Sequence, residues 1–218
     1  MDKKVELIIS ELEKMFPEAK SELVFQTPFE VLVSVILSAQ CTDKRVNEVT
    51  SEMYKKYNKT EDFADMPLEQ LERLIHSCGF YHNKALAIKN ASREILERFN
   101  SKVPSNFDDL CSLPGVGRKT ANVVMIEAFG GDAIPVDTHV LRVSNRLGLA
   151  KTKNPDVCEE NLKKIFPKES WAKLHKRMVL FGRYKCKAIN PECEGCPFSS
   201  FCLEKVEKYS KGKQRKIV

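Results

Sequence analysis

An all-α protein is what this sequence predicts, and three observations predict it. Helix-start signals recur along the chain, apolar residues follow them at helical spacing, and no stretch alternates apolar and polar residues between turn signals. The 218 residues are 42% hydrophobic and 30% charged, enough for one large core or two small ones. With 9 Gly and 10 Pro, collagen-like and low-complexity classes are excluded. The longest apolar run, Val31 to Ala39, is interrupted by Ser34 and Ser38 and falls far below the roughly 20 residues a membrane helix needs. Met1-Asp2-Lys3-Lys4 leads into an amphipathic stretch rather than the apolar core of an export signal, so a cytoplasmic location is expected.

The elements follow in order. Thr27-Pro28-Phe29-Glu30 combines a capping residue, Pro at the first helical position and Glu three after the cap, which opens a buried helix over Phe29–Ala39. Met66-Pro67-Leu68 opens the next, with Leu68, Leu71, Leu74 and Ile75 on one face before Gly79 ends it. Lys84 to Phe99 repeats the pattern with Leu86, Ile88, Ile95 and Leu96. A short helix, Asp108 to Ser112, turns through Gly115 and Gly117 into another, Arg118 to Phe129, closed by Gly130-Gly131. Asn154-Pro155 and Ser170 start two more, leading to Leu162/Ile165/Phe166 and Trp171/Leu174/Met178. The basic tail Lys211–Val218 is expected to fray.

Charge is divided unevenly. The net +6 splits into −5 for residues 1–75 and +11 for residues 76–218, which suits a polyanion partner for the second part as well as it suits a solvated Lys/Glu surface. Residues 163–187 alone hold nine basic side chains and one acid, Glu169.

Three constellations carry chemistry. Cys186-x6-Cys193-x2-Cys196-x5-Cys202 gathers four thiols in one 17-residue window, with Gly195, Pro191 and Pro197 as turn formers. That is a metal site, zinc or [4Fe–4S], and the single Cys-x2-Cys knuckle favours iron–sulfur. Leu113-Pro114-Gly115-Val116-Gly117-Arg118-Lys119-Thr120-Ala121 aims backbone N–H groups outward at a helix start, where they can hold a phosphate. Pro135-Val136-Asp137-Thr138-His139-Val140-Leu141-Arg142 places Asp137 at a helix N-cap; a plain capping Asp is the commoner meaning of such a position.

Together, in this order, the three strongly resemble the endonuclease III family, over nearly the whole chain from about Leu7 to Cys202. The resemblance implies a two-domain helix–hairpin–helix DNA glycosylase fold. One domain is a continuous six-helix unit, residues 21–131. The other is discontinuous, residues 1–20 and 132–218, and carries a [4Fe–4S] cluster on Cys186, Cys193, Cys196 and Cys202. Lys119 and Asp137 face each other across the mouth of a DNA cleft and are the implied catalytic residues. Gln40, in Leu37-Ser38-Ala39-Gln40, matches the side chain that fills the space of a flipped base, and Phe80 and Tyr81 match a loop that wedges the opposite strand. Further implied DNA contacts are Leu113, Gly115, Val116, Gly117, Arg118, His139, Arg142, Arg183, Lys185 and Lys187. The chain departs from many bacterial relatives at Cys111, where they have Glu.

The implied activity is removal of oxidised pyrimidines from double-stranded DNA, followed by cleavage of the abasic strand. An extruded base exposes C1′ to an amine nucleophile, and the resulting Schiff base permits β-elimination of the 3′ phosphate. Asp137 is suited to accept a proton and to stabilise positive charge developing on the sugar. The alternatives are a monofunctional adenine-mismatch glycosylase, which has Glu where this chain has Val35, and a non-catalytic DNA-binding module. A monomer with no membrane partner is expected.

Overall fold

The computed structural model describes residues 2–203; the basic tail Lys211–Val218 lies outside them. Among the described residues the regular elements are all helical. They are α1 (Lys3–Met15), α2 (Pro28–Ser38), α3 (Asp43–Met53), α4 (Thr60–Asp65), α5 (Leu68–Ile75), α6 (Tyr81–Phe99), α7 (Phe107–Ser112), α8 (Arg118–Phe129), α9 (Thr138–Arg146), α10 (Pro155–Ile165) and α11 (Trp171–Leu180). None of these helices is long and apolar enough to cross a membrane. The chain divides into two compact units: Ser21–Gly131, and Met1–Lys20 with Asp132–Val218.

The unit Ser21–Gly131 is organised around α2. Thr27 Oγ1 accepts the Glu30 N–H at 3.2 Å, and the Glu30 carboxylate accepts the Gln26 N–H at 2.6 Å, closing both sides of the helix start. Every side chain from Phe29 to Leu37 is buried, because α3, α6 and α8 pack around α2. Phe63, Leu71, Ile75, Ile88, Ile95 and Leu110 complete this core. Truncating one of them to a smaller apolar residue, as in Leu71→Ala, carries a cost of about 2–5 kcal/mol. The unit has seven helices rather than six. The helices α3 and α4 escape a periodicity reading because each buries only three residues: Val46, Thr50 and Met53 in α3, Thr60, Phe63 and Ala64 in α4. The helix expected from Lys84 begins three residues earlier, since Phe80 turns the chain in the left-handed region (φ 56°) and Tyr81 is already helical.

The discontinuous unit joins α1 to α11. Val5, Ile8 and Leu12 form the buried stripe of α1, and Arg177 of α11 reaches back to Glu13 (2.6 Å) and to the Phe16 carbonyl (3.3 Å). Val140, Val143, Leu162, Leu174 and Met178 fill the space between α9, α10 and α11. Beyond α11 the chain makes one π-helical turn, Phe181–Lys185, which the sequence did not signal. A Cβ on Gly182 would lie 2.8 Å from the His139 Cβ, so this turn sits against the backbone of α9 as only glycine permits. Phe181 meets the fully buried Phe198 edge-on at 5.3 Å, fastening both ends of the cysteine loop to the core.

Candidate active site and metal centre

The hairpin between α7 and α8 is fixed from inside. Leu113 (2% exposed) and Val116 (5%) point into the core, so any contact they make with DNA goes through their backbone. Gly115 adopts φ +76°, and a Cβ there would stand 2.4 Å from the Ala87 Cβ of α6. Gly117 differs: its backbone is extended and an added Cβ would meet nothing within 4 Å. Gly117 is also the N-cap of α8 and offers no capping side chain. The first amides of α8 therefore face outward behind an open glycine, the arrangement that accepts an anion at the positive end of a helix. Lys119 is exposed at the second position of that helix, and the Arg118 guanidinium lies over the Phe107 ring at 5.2 Å. Burial pushes the half-buried Cys111 thiol above its ordinary range, so it is neutral near pH 7 and no substitute for a carboxylate.

Two further turns of the same unit carry sequence-predicted residues. Gln40 is exposed, with φ 51°, just beyond α2. Phe80, 64% exposed, precedes α6 with its own left-handed backbone. Tyr81 is half-buried, its ring 5.2 Å from His76 and 4.0 Å from His82.

In the discontinuous unit, Asp137 caps α9: its Oδ1 accepts the Val140 N–H at 2.8 Å. Arg142, one turn on, is built into the protein. Its guanidinium donates to the Cys186 carbonyl (3.0 Å) and the Gly182 carbonyl (2.7 Å), and it lies 3.1 Å from His139 Nδ1. Arg146 continues the same face, donating to the Lys187 carbonyl at 2.7 Å and to Cys186 Sγ at 3.3 Å. Sequence reasoning missed Arg146; its only signal was the four-residue spacing from Arg142, which puts both on one side of α9. The exposed Lys185 and Lys187 both close on Glu192, at 2.8 and 2.9 Å, and together hold its carboxyl down at about 2. Arg183 is half-buried.

The cysteine loop fits an iron–sulfur group. Cys196 feels the charge of Cys186, Cys193 and Cys202, so the four sulfurs are neighbours in space as well as in sequence. Burial raises the Cys186 and Cys196 thiols, and the Arg146 hydrogen bond works against this at Cys186 by favouring the thiolate. Short turns, Cys196 N–H to the Cys193 carbonyl (3.3 Å) and Cys202 N–H to the Phe198 carbonyl (3.0 Å), shape the loop. When bound, a [4Fe–4S] group supplies a covalent tie across a segment with little core of its own.

Residues 33–168 match the HhH-GPD superfamily of base excision DNA repair proteins, and residues 186–202 match the iron–sulfur binding domain of endonuclease III. The chain is 48% identical to endonuclease III of Bacillus subtilis, over 96% of each protein. It is 41% identical to that of Escherichia coli K12, over 92% of this chain and 96% of the other. It also superposes with a TM-score of 0.91 on a trapped endonuclease III–DNA covalent intermediate, 47% identical, covering 96% of this chain and all of that one. A thermostable thymine-DNA glycosylase, 24% identical, shares the fold at a TM-score of 0.86. With a family match across more than half its length and such relatives end to end, the chain belongs to the endonuclease III family of base excision repair glycosylases and AP lyases.

Proposed function

We propose that this protein removes oxidised pyrimidines from double-stranded DNA and cuts the resulting abasic strand, with Lys119 as nucleophile. The observation that carries the reading is the setting of Lys119: an exposed amine in the first turn of an uncapped helix, behind a glycine with open space around it. A phosphate held by the α8 amides brings the neighbouring sugar to that amine. The Lys119 nitrogen then bonds to C1′ while the glycosidic bond breaks, and the base leaves with its electron pair and a proton. Ring opening gives an iminium, loss of a C2′ proton follows, and the 3′ phosphate departs by β-elimination. Asp137, whose Oδ1 is already tied to α9, is held in a single orientation for the proton transfer and for the developing positive charge.

The solved endonuclease III that superposes here was trapped as a covalent intermediate with DNA, which supports covalent chemistry in this family. Cys186, Cys193, Cys196 and Cys202 hold the cluster, and Arg183, Lys185 and Lys187 meet phosphates beside it. The amides around Gly115 and Gly117 take another phosphate, with Arg118 beside them, and His139 meets DNA from α9. Gln40 and Phe80 enter the duplex, and Tyr81 meets it from the same wedging loop. The Arg142 guanidinium, committed to carbonyls, supports the interface from behind. Val35, buried in α2, argues against the adenine-mismatch reading. The chain acts as a monomer.

Borohydride trapping on duplexes with different lesions is the test. Wild-type protein forms an adduct on oxidised pyrimidines, and Lys119→Gln binds the same duplex but loses adduct and strand cleavage by several orders of magnitude. A monofunctional glycosylase releases base without trapping. A binding module does neither. Lys119→Gln protein that still traps and cleaves refutes the assignment.

A further inference from the structure

Among the buried charged groups the mechanism leaves unused, Lys84 stands out. It sits in the first turn of α6 and is only 6% exposed. Its ammonium donates to the Leu37 carbonyl and to the Cys78 carbonyl, both at 2.8 Å. Leu37 belongs to the last turn of α2, whose final carbonyls have no partner within the helix and carry the negative end of its dipole. Cys78 lies in the turn after α5 and is itself fully buried. Burial pulls the Lys84 amine below its ordinary range, and the two carbonyls are the hydrogen-bond acceptors its ammonium has in place of water.

Three residues past Leu37 stands Gln40, and two past Cys78 stands Phe80, each exposed or largely so and each with a left-handed backbone. Such conformations cost non-glycine residues energy and persist only where the surroundings impose them. The two turns also lie close together: a Cβ on Gly79 would be 3.7 Å from the Gln40 carbonyl oxygen. One ammonium thus joins the root of the Gln40 turn to the root of the Phe80 turn.

We propose that Lys84 is a positioning residue for base extrusion: it cross-links these two turns so that Gln40 and Phe80 are presented to the duplex in fixed register. The inference rests on the reading of Gln40 and Phe80 as the residues that enter the duplex. Lys84 itself touches no nucleotide. Its effect passes through backbone, and a displacement of about 1 Å in positioning groups is enough to cost a reaction about 10²-fold.

The test uses a duplex with a tetrahydrofuran abasic analogue opposite 2-aminopurine, which cannot form a Schiff base and so separates positioning from chemistry. Wild-type protein raises 2-aminopurine fluorescence as the opposite base is unstacked. Gln40→Ala and Phe80→Ala each lower that signal, and Lys84→Met lowers it with affinity for undamaged duplex unchanged. In combination with the Gln40→Ala/Phe80→Ala pair, Lys84→Met removes nothing further, because the residues it positions are gone. Lys84→Arg, which keeps the charge and donors, restores most of the signal. If Lys84→Met does not fold, Lys84→Gln, which can still donate to one carbonyl, takes its place in the same cycle. Loss of signal that adds in full to the Gln40/Phe80 loss, or no loss at all, overturns the proposal. If Gln40→Ala and Phe80→Ala leave fluorescence at the wild-type level, the reading of those two residues fails instead.

Discussion

The glycines of the hairpin, Gly115 and Gly117, sit two residues apart in one motif, yet alanine at each should produce different failures. At Gly115, φ of +76° costs an L-residue about 1–2 kcal/mol. The added Cβ meets the Ala87 Cβ at 2.4 Å, more than 1 Å inside ordinary carbon contact, and both atoms are fixed directly to backbone. Relief requires the hairpin to lift off α6, an overpacking of about 1–3 kcal/mol. The sum is about 2–5 kcal/mol, a fall in Tm of roughly 4–20 °C for a chain this size. At Gly117 the backbone suits any residue and the space is empty, so Gly117→Ala should melt at or slightly above the wild-type temperature. It should nonetheless weaken duplex binding, since its methyl occupies the side from which a phosphate reaches the α8 amides. Circular dichroism melts and fluorescence-anisotropy titrations of both variants decide the matter. A Gly115→Ala protein melting within about 1 °C of wild type refutes the steric argument.

Asp137→Asn keeps an oxygen for the Val140 N–H, so the protein should fold normally while single-turnover base release drops about 10²–10⁴-fold. Glu192→Gln should release Lys185 and Lys187, tightening undamaged-duplex binding and steepening its salt dependence by about one unit; an unchanged slope would mean those lysines meet no phosphate. Because the folded Glu192 carboxyl is depressed to about 2, its pairing is fully present above the unfolded value near 4.3 and is lost only as pH falls toward 2. Binding measured between pH 5 and 8 should therefore show no Glu192 transition. Purified protein should be brown, with broad absorbance and four irons per chain, and Cys196→Ser should lose iron, stability and DNA affinity together; colourless protein with one zinc contradicts this.

Local chemistry was legible where it depends on neighbours in sequence. The Thr27 and Asn154 caps, the buried run of α2, the turn through Gly115 and Gly117 and the four-cysteine window all lie in short patterns. What stayed hidden depends on partners far along the chain. Nothing near Arg142 or Arg146 announces that both reach the cysteine loop more than 40 residues on. The burial of Lys84 follows from carbonyls 47 and 6 residues away, which nothing in its own stretch of sequence announces. Arg142 was expected at the DNA on the family resemblance, and the bonds its guanidinium makes to the Gly182 and Cys186 carbonyls, 40 and 44 residues on, leave no trace near it in the sequence.

The discontinuity of the second unit bears on how the chain is made. The apolar stripe of α1 leaves the ribosome first, but its partner α11 follows only after the whole of Ser21–Gly131 and α9 and α10. At about 5–20 residues per second, Val5, Ile8 and Leu12 wait on the order of ten seconds without a lasting partner. The inserted unit, with its contacts contained within itself, can close in that interval and bring the two halves of its host within reach, limiting the loop entropy their joining must overcome. The four cysteines of the loop emerge after all eleven of these helices. Only the inserted unit is thus free to fold well before iron can be taken up, and shortage of iron leaves that unit complete while the cysteine loop is the part open to proteases.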